Sequence, residues 1–562
     1  MTTSAGPSPS WAPSLAAALA EALPRLHGVA PDPLIGELIA ALGTALASGE
    51  LEVDLAGPAP EAISSEGWPQ AHRRQLATSP LAAEPEGPLV LLDGHRLMWR
   101  RWQQQRQRVL VNLVARARRR PDAPQPETTA AAELLAPLDG RQREAVQAVS
   151  RHGLVLLAGG PGTGKTSTVA AMIAAAQAAA AELRIHLAAP TGKAAARLRS
   201  ATGGQLPCTT LHRLLESRGG SFGRHRRRPL ELDLLVVDEV SMVDLALMEA
   251  LLDALPSSCR LVLVGDPAQL PPIAPGAVLL DLQRPPWRQE LAQAAITLTT
   301  TYRNSGAIAA VATALRSGLE AGCEVDPGDG SGSLARIQGQ LAALGPEDNL
   351  RWIQARPPLL PPELITPLRL HHQRLRDLAE GCGPDDGAIQ ADLLALRDQL
   401  LVLTPVRQGA WGLDAIHRTL LGDLIRRPPL DWPAGTPVLC TRNRPELGLA
   451  NGDVGILIGS SANLHQRRIV FGSPGLEIAP LHPAQMAGAA EAALALTVHK
   501  AQGSEARQVI VLLPPGRGDQ RLLYTALTRA REQAVLITTA IGADQGEAGG
   551  QRAATTSQPS RA

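Results

Sequence analysis

At 562 residues the chain exceeds what one hydrophobic core ordinarily organises, so length alone points to three to five domains. Apolar residues make up 44% of it and the formal net charge is +1, which excludes a fibrous or wholly disordered chain and leaves nucleic-acid binding to local basic clusters. The cysteines Cys208, Cys259, Cys323, Cys382 and Cys440 lack C-x-x-C spacing, arguing against a zinc site or disulfide framework and for reduced thiols in a cytoplasm. No basic leader followed by an apolar stretch, and no apolar run long enough to span a membrane, is read in the sequence.

Residues 1 to about 125 carry no chemical motif. Their spacing predicts helices from Ser14 to Leu26 and from Pro33 to Ala47, a short strand around Leu89 to Leu92, and a helix reaching Arg120. Arg116 and Arg118 to Arg120 close that helix, where a solvated basic end suits the helix dipole. The proline-rich stretch from Pro121 to Glu127 reads as a linker.

An amphipathic helix then starts near Leu138 and carries Gln142, whose amide offers both a donor and an acceptor to the edge of an adenine. The apolar run Leu154 to Leu157 leads into Gly159, Gly160, Pro161, Gly162, Thr163, Gly164, Lys165 and Thr166, followed by a helix. Strand, glycine-rich turn and helix in that order make a P-loop. The glycines let backbone N–H groups converge on phosphate oxygens at a helix N-terminus. Lys165 is placed to reach the β and γ phosphates and Thr166 to hold Mg²⁺. Only three lysines occur in the chain, at 165, 193 and 500, each inside a motif-like segment of an otherwise arginine-rich sequence.

Further strands end in polar groups. The strand at Ile185 to Ala189 delivers Thr191 and Lys193, and Thr210 and His212 open a later helix; hydroxyls, N–H groups and a lysine at strand ends suit a nucleic-acid backbone. Arg224, Arg226, Arg227 and Arg228 form the densest basic cluster, which reads equally well as a solvated loop. The buried strand Leu234 to Val237 ends in Asp238, near the metal, and Glu239, which orients or deprotonates the attacking water. Another strand from Arg260 delivers Gln269.

In the second half, Leu298 to Asn304 is read as a strand carrying an arginine, and residues 321–391 as loops and short helices. Short alternating strands around Asn451-Gly452-Asp453 predict a small inserted β domain. The tail beyond about 540 is polar and rich in small residues, the composition of a disordered end.

The segments GGPGTGKT, APTGKAAARL, TTLHRLL, VVDEVSM, GDPAQLPP, TYRN, LGLANGDVG, TVHKAQGSE and YTALTRAR occur in this order between about 138 and 537. In that order the chain resembles superfamily 1 DNA helicases and most closely the RecD family, the α subunit of the exodeoxyribonuclease V complex RecBCD. The resemblance implies an α/β fold of two RecA-like P-loop domains, a small inserted Src-homology-3-like β-barrel, and a mostly helical N-terminal domain. The expected limits are 1–125 for the N-terminal partner-binding domain, 126–297 for the first motor domain, 298–410 and 491–540 for the second, 411–490 for the insert and 541–562 for the tail.

It also implies roles. Gln142 would read adenine, Gln269 would sense the γ-phosphate, Arg303 and Arg529 would reach it from the second domain, and Glu505 would face the ribose. Thr191, Lys193, Thr210, His212, Thr497 and His499 would line single-stranded DNA. The activity implied is ATP- and Mg²⁺-dependent 5′ to 3′ translocation and unwinding of DNA, with RecB-like and RecC-like partners, no membrane and no nuclease site in this chain. A free-standing RecD-like helicase and an ATP-binding subunit that clamps DNA without unwinding it are the alternatives. Aromatic content of 2% leaves DNA grip to backbone and polar contacts.

Overall fold

A computed structural model describes residues 11–83, 85–121, 135–302, 306–320, 331–473, 476–477 and 479–539. Arg303, Cys323, most of the expected linker and the tail expected from 541 lie outside the described residues.

Two parallel sheets organise the chain. The first runs, in spatial order, Ala295–Leu298, Leu154–Gly159, Arg260–Gly265, Leu234–Val237, Ile185–Ala189 and Cys208–Thr210. Its central strands are buried on both faces, which is why they read as unbroken apolar runs rather than alternating ones. The second runs Leu350–Ala355, Ala530–Thr539, Ala506–Leu513, Leu400–Thr404 and Leu496–Thr497, again all parallel. This is an α/β fold built on two parallel sheets. In such sheets ligands gather at the carboxyl ends of the strands, where the P-loop, Thr191, Thr210, Asp238 and Gln269 lie; Glu505 and Arg529 stand at the amino ends of Ala506–Leu513 and Ala530–Thr539.

Four sequence expectations change. The strand expected over Leu298 to Asn304 is Ala295–Leu298 instead, and it pairs beside the P-loop strand, Leu298 opposite Gly159, in the first sheet. The stretch expected as loops and short helices contains the 18-residue helix Pro362–Ala379, the helices Ser331–Ala342 and Gly387–Arg397, and the sheet strand Leu350–Ala355. The 18-residue helix begins with a proline at its first position, where the missing N–H costs no hydrogen bond, and its second proline, Pro367, falls five residues later.

The N-terminal region holds the helices Trp11–Leu26, Pro33–Ala47 and Gln70–Thr78, and also a three-stranded antiparallel sheet with Arg96–Trp99 between Glu52–Asp54 and Leu89–Leu92. Helix Arg100–Arg118 then leaves this region and joins the first motor core. Val109, Leu110, Leu113 and Val114 are buried with Leu154, Leu156, Leu235, Leu251 and Leu263. The expected boundary at 125 thus falls after a helix that covers one face of the first sheet.

The basic end of that helix is the fourth change. Arg116 is 7% exposed and donates to the carbonyl oxygens of Leu255 (2.6 Å) and Pro256 (2.9 Å), while Arg119 donates to Ser258 O (2.9 Å) and Arg118 pairs with Glu290. Arg116 and Arg119 thus cap the carbonyl-rich end of a neighbouring turn, while Arg118 keeps the expected solvent exposure.

The inserted segment is a five-stranded antiparallel sheet ordered Leu476–Glu477, Arg468–Ser473, Val454–Ile458, Pro437–Cys440, Ala490–Ala492. It leaves after Leu400–Thr404 and returns at Leu496–Thr497, and these two strands are neighbours, Leu403 opposite Leu496. Helix Leu413–Leu421 makes the crossover between them, burying Leu413 and Ile416 with Val402 and Ile510.

Candidate nucleotide and nucleic-acid site

The P-loop closes the end of strand Leu154–Gly159. Gly162 and Gly164 take φ of +73° and +80°, which only glycine adopts without strain, and Gly164 caps helix Lys165–Ala179. Thr163 Oγ1 donates to Gly160 O (2.8 Å) and tightens the loop. Lys165 Nζ donates to Gly159 O (2.6 Å) and Gly160 O (2.9 Å), so the ammonium sits over the mouth of the loop.

Gln142 is 4% exposed. Its Oε1 accepts from Asp139 N (3.1 Å) and Asp139 Oδ1 accepts from Gln142 N (2.8 Å), a reciprocal cap on helix Gly140–Arg151. That leaves the Nε2 end facing the loop: a methyl carbon placed on Gly164 would lie 2.6 Å from it. Tyr302 follows the edge strand, donates its N–H to Gly162 O (2.8 Å) and its hydroxyl to Asp139 Oδ2 (2.8 Å). Its ring carbons would lie 3.7 Å from that same methyl, yet the residue is 58% exposed. An amide and an open aromatic face therefore flank one side of the loop.

On the other side, Asp238 and Glu239 end strand Leu234–Val237. Glu239 takes φ +52°, a conformation that costs a side-chain-bearing residue about 1–3 kcal/mol and is held here by its N–H donating to Asp238 Oδ1 (2.8 Å). Burial, with Glu239 beside it, pushes the Asp238 carboxyl up to about 6, against the pull of Arg197. Gln269 is 4% exposed; its Nε2 approaches Asp266 Oδ2 at 3.5 Å and its buried Oε1 has no protein partner. Asp266 in turn accepts from the Tyr524 hydroxyl (2.7 Å), which crosses from the second half of the chain.

Other bonds tie the two sheets together here. Leu270 N donates to Thr525 Oγ1 (2.9 Å) and Gln502 Nε2 to Leu270 O (3.0 Å). Arg529 is 3% exposed and donates from Nε to Thr525 O (3.0 Å), on its own helix. Glu505, expected at the ribose, is ion-paired to Arg197 (2.6 Å) of the first sheet's side and to Arg531 (3.1 Å).

The loop fits a nucleotide triphosphate: two left-handed glycines, a lysine on the loop's own carbonyls, an unpartnered buried amide oxygen and paired carboxylates converge on it. For a divalent cation the chain offers Thr166 and Asp238, and among the described residues no cluster of three or more His, Cys, Asp or Glu side chains could hold a metal. That donor set matches Mg²⁺, which takes one or two protein oxygens and completes its shell with phosphate and water.

A second row of groups runs between the halves. Thr191 Oγ1 accepts from Ala194 N (3.2 Å) and Thr210 Oγ1 from Arg213 N (3.3 Å), so each caps the helix it precedes. His212 lies near Phe222, ring centroids 6.4 Å apart. Thr497 Oγ1 accepts from Lys500 N (3.3 Å), and burial lowers the His499 imidazole so that it is neutral at pH 7. All six of the expected track residues are half-buried.

Lys193 Nζ donates to Ser504 Oγ (3.1 Å), and Lys500 Nζ to Asn451 Oδ1 (2.7 Å) at the insert's turn, so two of the three lysines bridge between parts of the chain. Within the Arg224–Arg228 cluster, Arg224 and Arg228 share Glu216 and Arg226 pairs with Asp253, so two carboxylates offset half the charge of its four arginines.

Residues 142–275 match the AAA domain family and residues 492–537 the UvrD-like helicase C-terminal domain family. The RecBCD enzyme subunit RecD of Mycolicibacterium smegmatis is 35% identical over 550 residues, covering 90% of this chain and 90% of that protein. The chain belongs to the RecD family. The ATP-dependent RecD2 DNA helicase of Deinococcus radiodurans is 33% identical over 407 residues, covering 70% of this chain but 48% of that protein. A solved structure of Pif1 helicases at forked DNA has a TM-score of 0.39 and 17% identity over 71% of this chain and 91% of that one, too loose a likeness to bear on function.

A RecD-family chain with this site is an ATP-dependent helicase of superfamily 1. Sequence reasoning left two of its residues without a role. Tyr302 was visible as one of only two tyrosines in the chain, and Arg197 as part of APTGKAAARL, but neither position beside the site follows from spacing. No helix among the described residues is long and apolar enough to cross a membrane.

Proposed function

We propose that this RecD-family helicase moves 5′ to 3′ along single-stranded DNA as the α subunit of a RecBCD-type helicase–nuclease, working in the cytoplasm with RecB-like and RecC-like subunits on broken DNA ends. The observation that carries the motor reading is the seam at the P-loop: Tyr524 to Asp266, Thr525 to Leu270 and Gln502 to Leu270 all cross between the two sheets beside Lys165. A nucleotide bound there touches both halves, so its hydrolysis alters how they meet.

The residues divide the work. Gly159 to Thr166 cradle the phosphates, the Gln142 amide meets the adenine edge, and the Tyr302 ring supplies a face for the base to stack on. Mg²⁺, when bound through Thr166 and Asp238, neutralises developing phosphate charge. Glu239 orients and deprotonates the attacking water, Gln269 uses its spare oxygen to hold that water or the γ-phosphate, and Arg303 and Arg529 come from the second half as the cleft closes. For Arg529 this requires release from Thr525 O. Glu505 faces the ribose, and its pair with Arg197 links that position to the first sheet's side.

Thr191, Lys193, Thr210, His212, Thr497 and His499 line the strand, with the inserted antiparallel sheet read as a Src-homology-3-like barrel over the same track. Motor domains of 126–297 and 298–410 with 491–540 follow, extended by helix Arg100–Arg118. Similarity to the Mycolicibacterium smegmatis subunit over 90% of both proteins supports the subunit reading.

Unwinding of duplexes with 5′ or 3′ single-stranded tails tests the proposal, with Lys165→Ala as the inactive control. Preference for the 5′ tail is expected; preference for the 3′ tail would overturn the polarity, and strand separation by the control would overturn the motor assignment.

A further inference from the structure

We infer that Arg316 is a third arginine directed at the nucleotide's terminal phosphate, delivered from the second half of the chain in addition to Arg303 and Arg529. The inference rests on the ATP-hydrolysing reading of the P-loop. Arg316 lies on helix Ala307–Glu320, outside every motif that identified the site. A methyl carbon placed on Gly160 would lie 3.0 Å from Arg316 Nη1 and 3.2 Å from the Tyr524 hydroxyl. Gly160 O also accepts from Lys165 Nζ at 2.9 Å. Lysine, guanidinium and phenol thus gather around a single P-loop residue, the lysine on its carbonyl oxygen and the other two over its open Cα face.

The arginine's position is built rather than incidental. Gln520 Nε2 donates to Leu315 O, the carbonyl just before Arg316, and the same amide packs against Gly318. Gln520 starts the helix Gln520–Leu527, capped by Asp519, which carries Tyr524 and Thr525 to the first sheet. Arg316 is therefore fixed to the helix whose residues span the seam, and it moves with that helix relative to Lys165. Arg529 has its Nε on Thr525 O, whereas Arg316 already stands against the loop. A planar, permanently charged fork in that place matches the oxygens of a terminal phosphate and couples their presence to the second half.

The test uses the full chain with Arg316→Ala and Arg316→Lys, measuring equilibrium binding of a fluorescent ADP with and without beryllium fluoride, thermal midpoint, kcat and KM. Arg316→Ala is expected to bind ADP within about twofold of wild type, to lose roughly tenfold or more of the affinity that beryllium fluoride adds, and to lose on the order of 10²-fold in kcat. Arg316→Lys is expected to recover part of the beryllium fluoride affinity but little kcat. Undiminished beryllium fluoride affinity in Arg316→Ala would overturn the inference, as would a parallel loss of ADP affinity and thermal midpoint, which marks a packing role only. Retained turnover in Lys165→Ala would instead remove the P-loop reading beneath it.

Discussion

Replacing Gly164 with alanine probes the phosphate cradle and the adenine edge in one step. The residue has φ +80°, and a left-handed conformation costs an alanine about 1–2 kcal/mol. The new methyl would also lie 2.6 Å from Gln142 Nε2, an overlap of the small-to-large kind that costs about 1–3 kcal/mol. The loop can escape by shifting its N–H groups off the phosphates, or the glutamine by turning its amide off the base. Together some 2–5 kcal/mol is taken from ATP binding, a loss of roughly 30- to 5,000-fold.

The two contributions separate in a double-mutant cycle. With Gln142→Ala as background the overlap disappears, and Gly164→Ala should then cost only the backbone part, roughly 5- to 30-fold. The assay is equilibrium titration of a fluorescent ATP analogue into wild type, both single variants and the double variant, with thermal midpoints as a check on folding. Wild-type affinity in Gly164→Ala, or strict additivity across the cycle, would refute the contact between the amide and the loop on which the adenine assignment rests.

Arg529→Ala should bind ATP nearly as wild type yet lose DNA-stimulated hydrolysis; normal stimulated turnover would exclude its role in the closed cleft. Burial, reinforced by Arg397, brings the Lys193 ammonium down to about 8, so its charge is present at pH 7 and is lost as pH rises past 8. If that charge meets a strand phosphate, the log–log salt dependence of single-strand binding should flatten by about 0.7 between pH 7 and 9. The same flattening in Lys193→Met would assign the titration to another group. Arg116→Met removes the donor from Leu255 and Pro256 carbonyls and should destabilise the first motor domain by about 2–4 kcal/mol, read as an earlier unfolding transition by calorimetry. An unchanged profile would show that helix Arg100–Arg118 is held by its apolar face alone.

The site's local parts were legible because each is a short strand, a turn and the start of a helix, whose chemistry sits within a few residues. Gly159 to Thr166, Asp238 with Glu239, and Gln269 belong to that class. What escaped depends on contacts between distant segments. Arg116 looks like a basic helix end until the carbonyls of Leu255 and Pro256 arrive from some 140 residues away. Arg316 carries no motif, and its place beside Gly160 exists only because Gln520 holds its helix. Residues 331–397 resisted reading because frequent Gly, Pro and Asp mark turns in a one-dimensional pattern, whereas Pro361 and Pro362 here start a long helix. The pair of Glu505 with Arg197 likewise joins segments distant in sequence.

Helix Arg100–Arg118 also sets an order of events during synthesis. It leaves the ribosome before any strand of the sheet it covers, and the edge strand Ala295–Leu298 follows about 180 residues later, roughly 10–35 s at ordinary elongation rates. For that interval Val109, Leu110, Leu113 and Val114 have no sheet to rest on. The N-terminal region can fold around its own small sheet meanwhile, but its last helix waits, an apolar stripe for chaperones to guard until the motor's first half is complete.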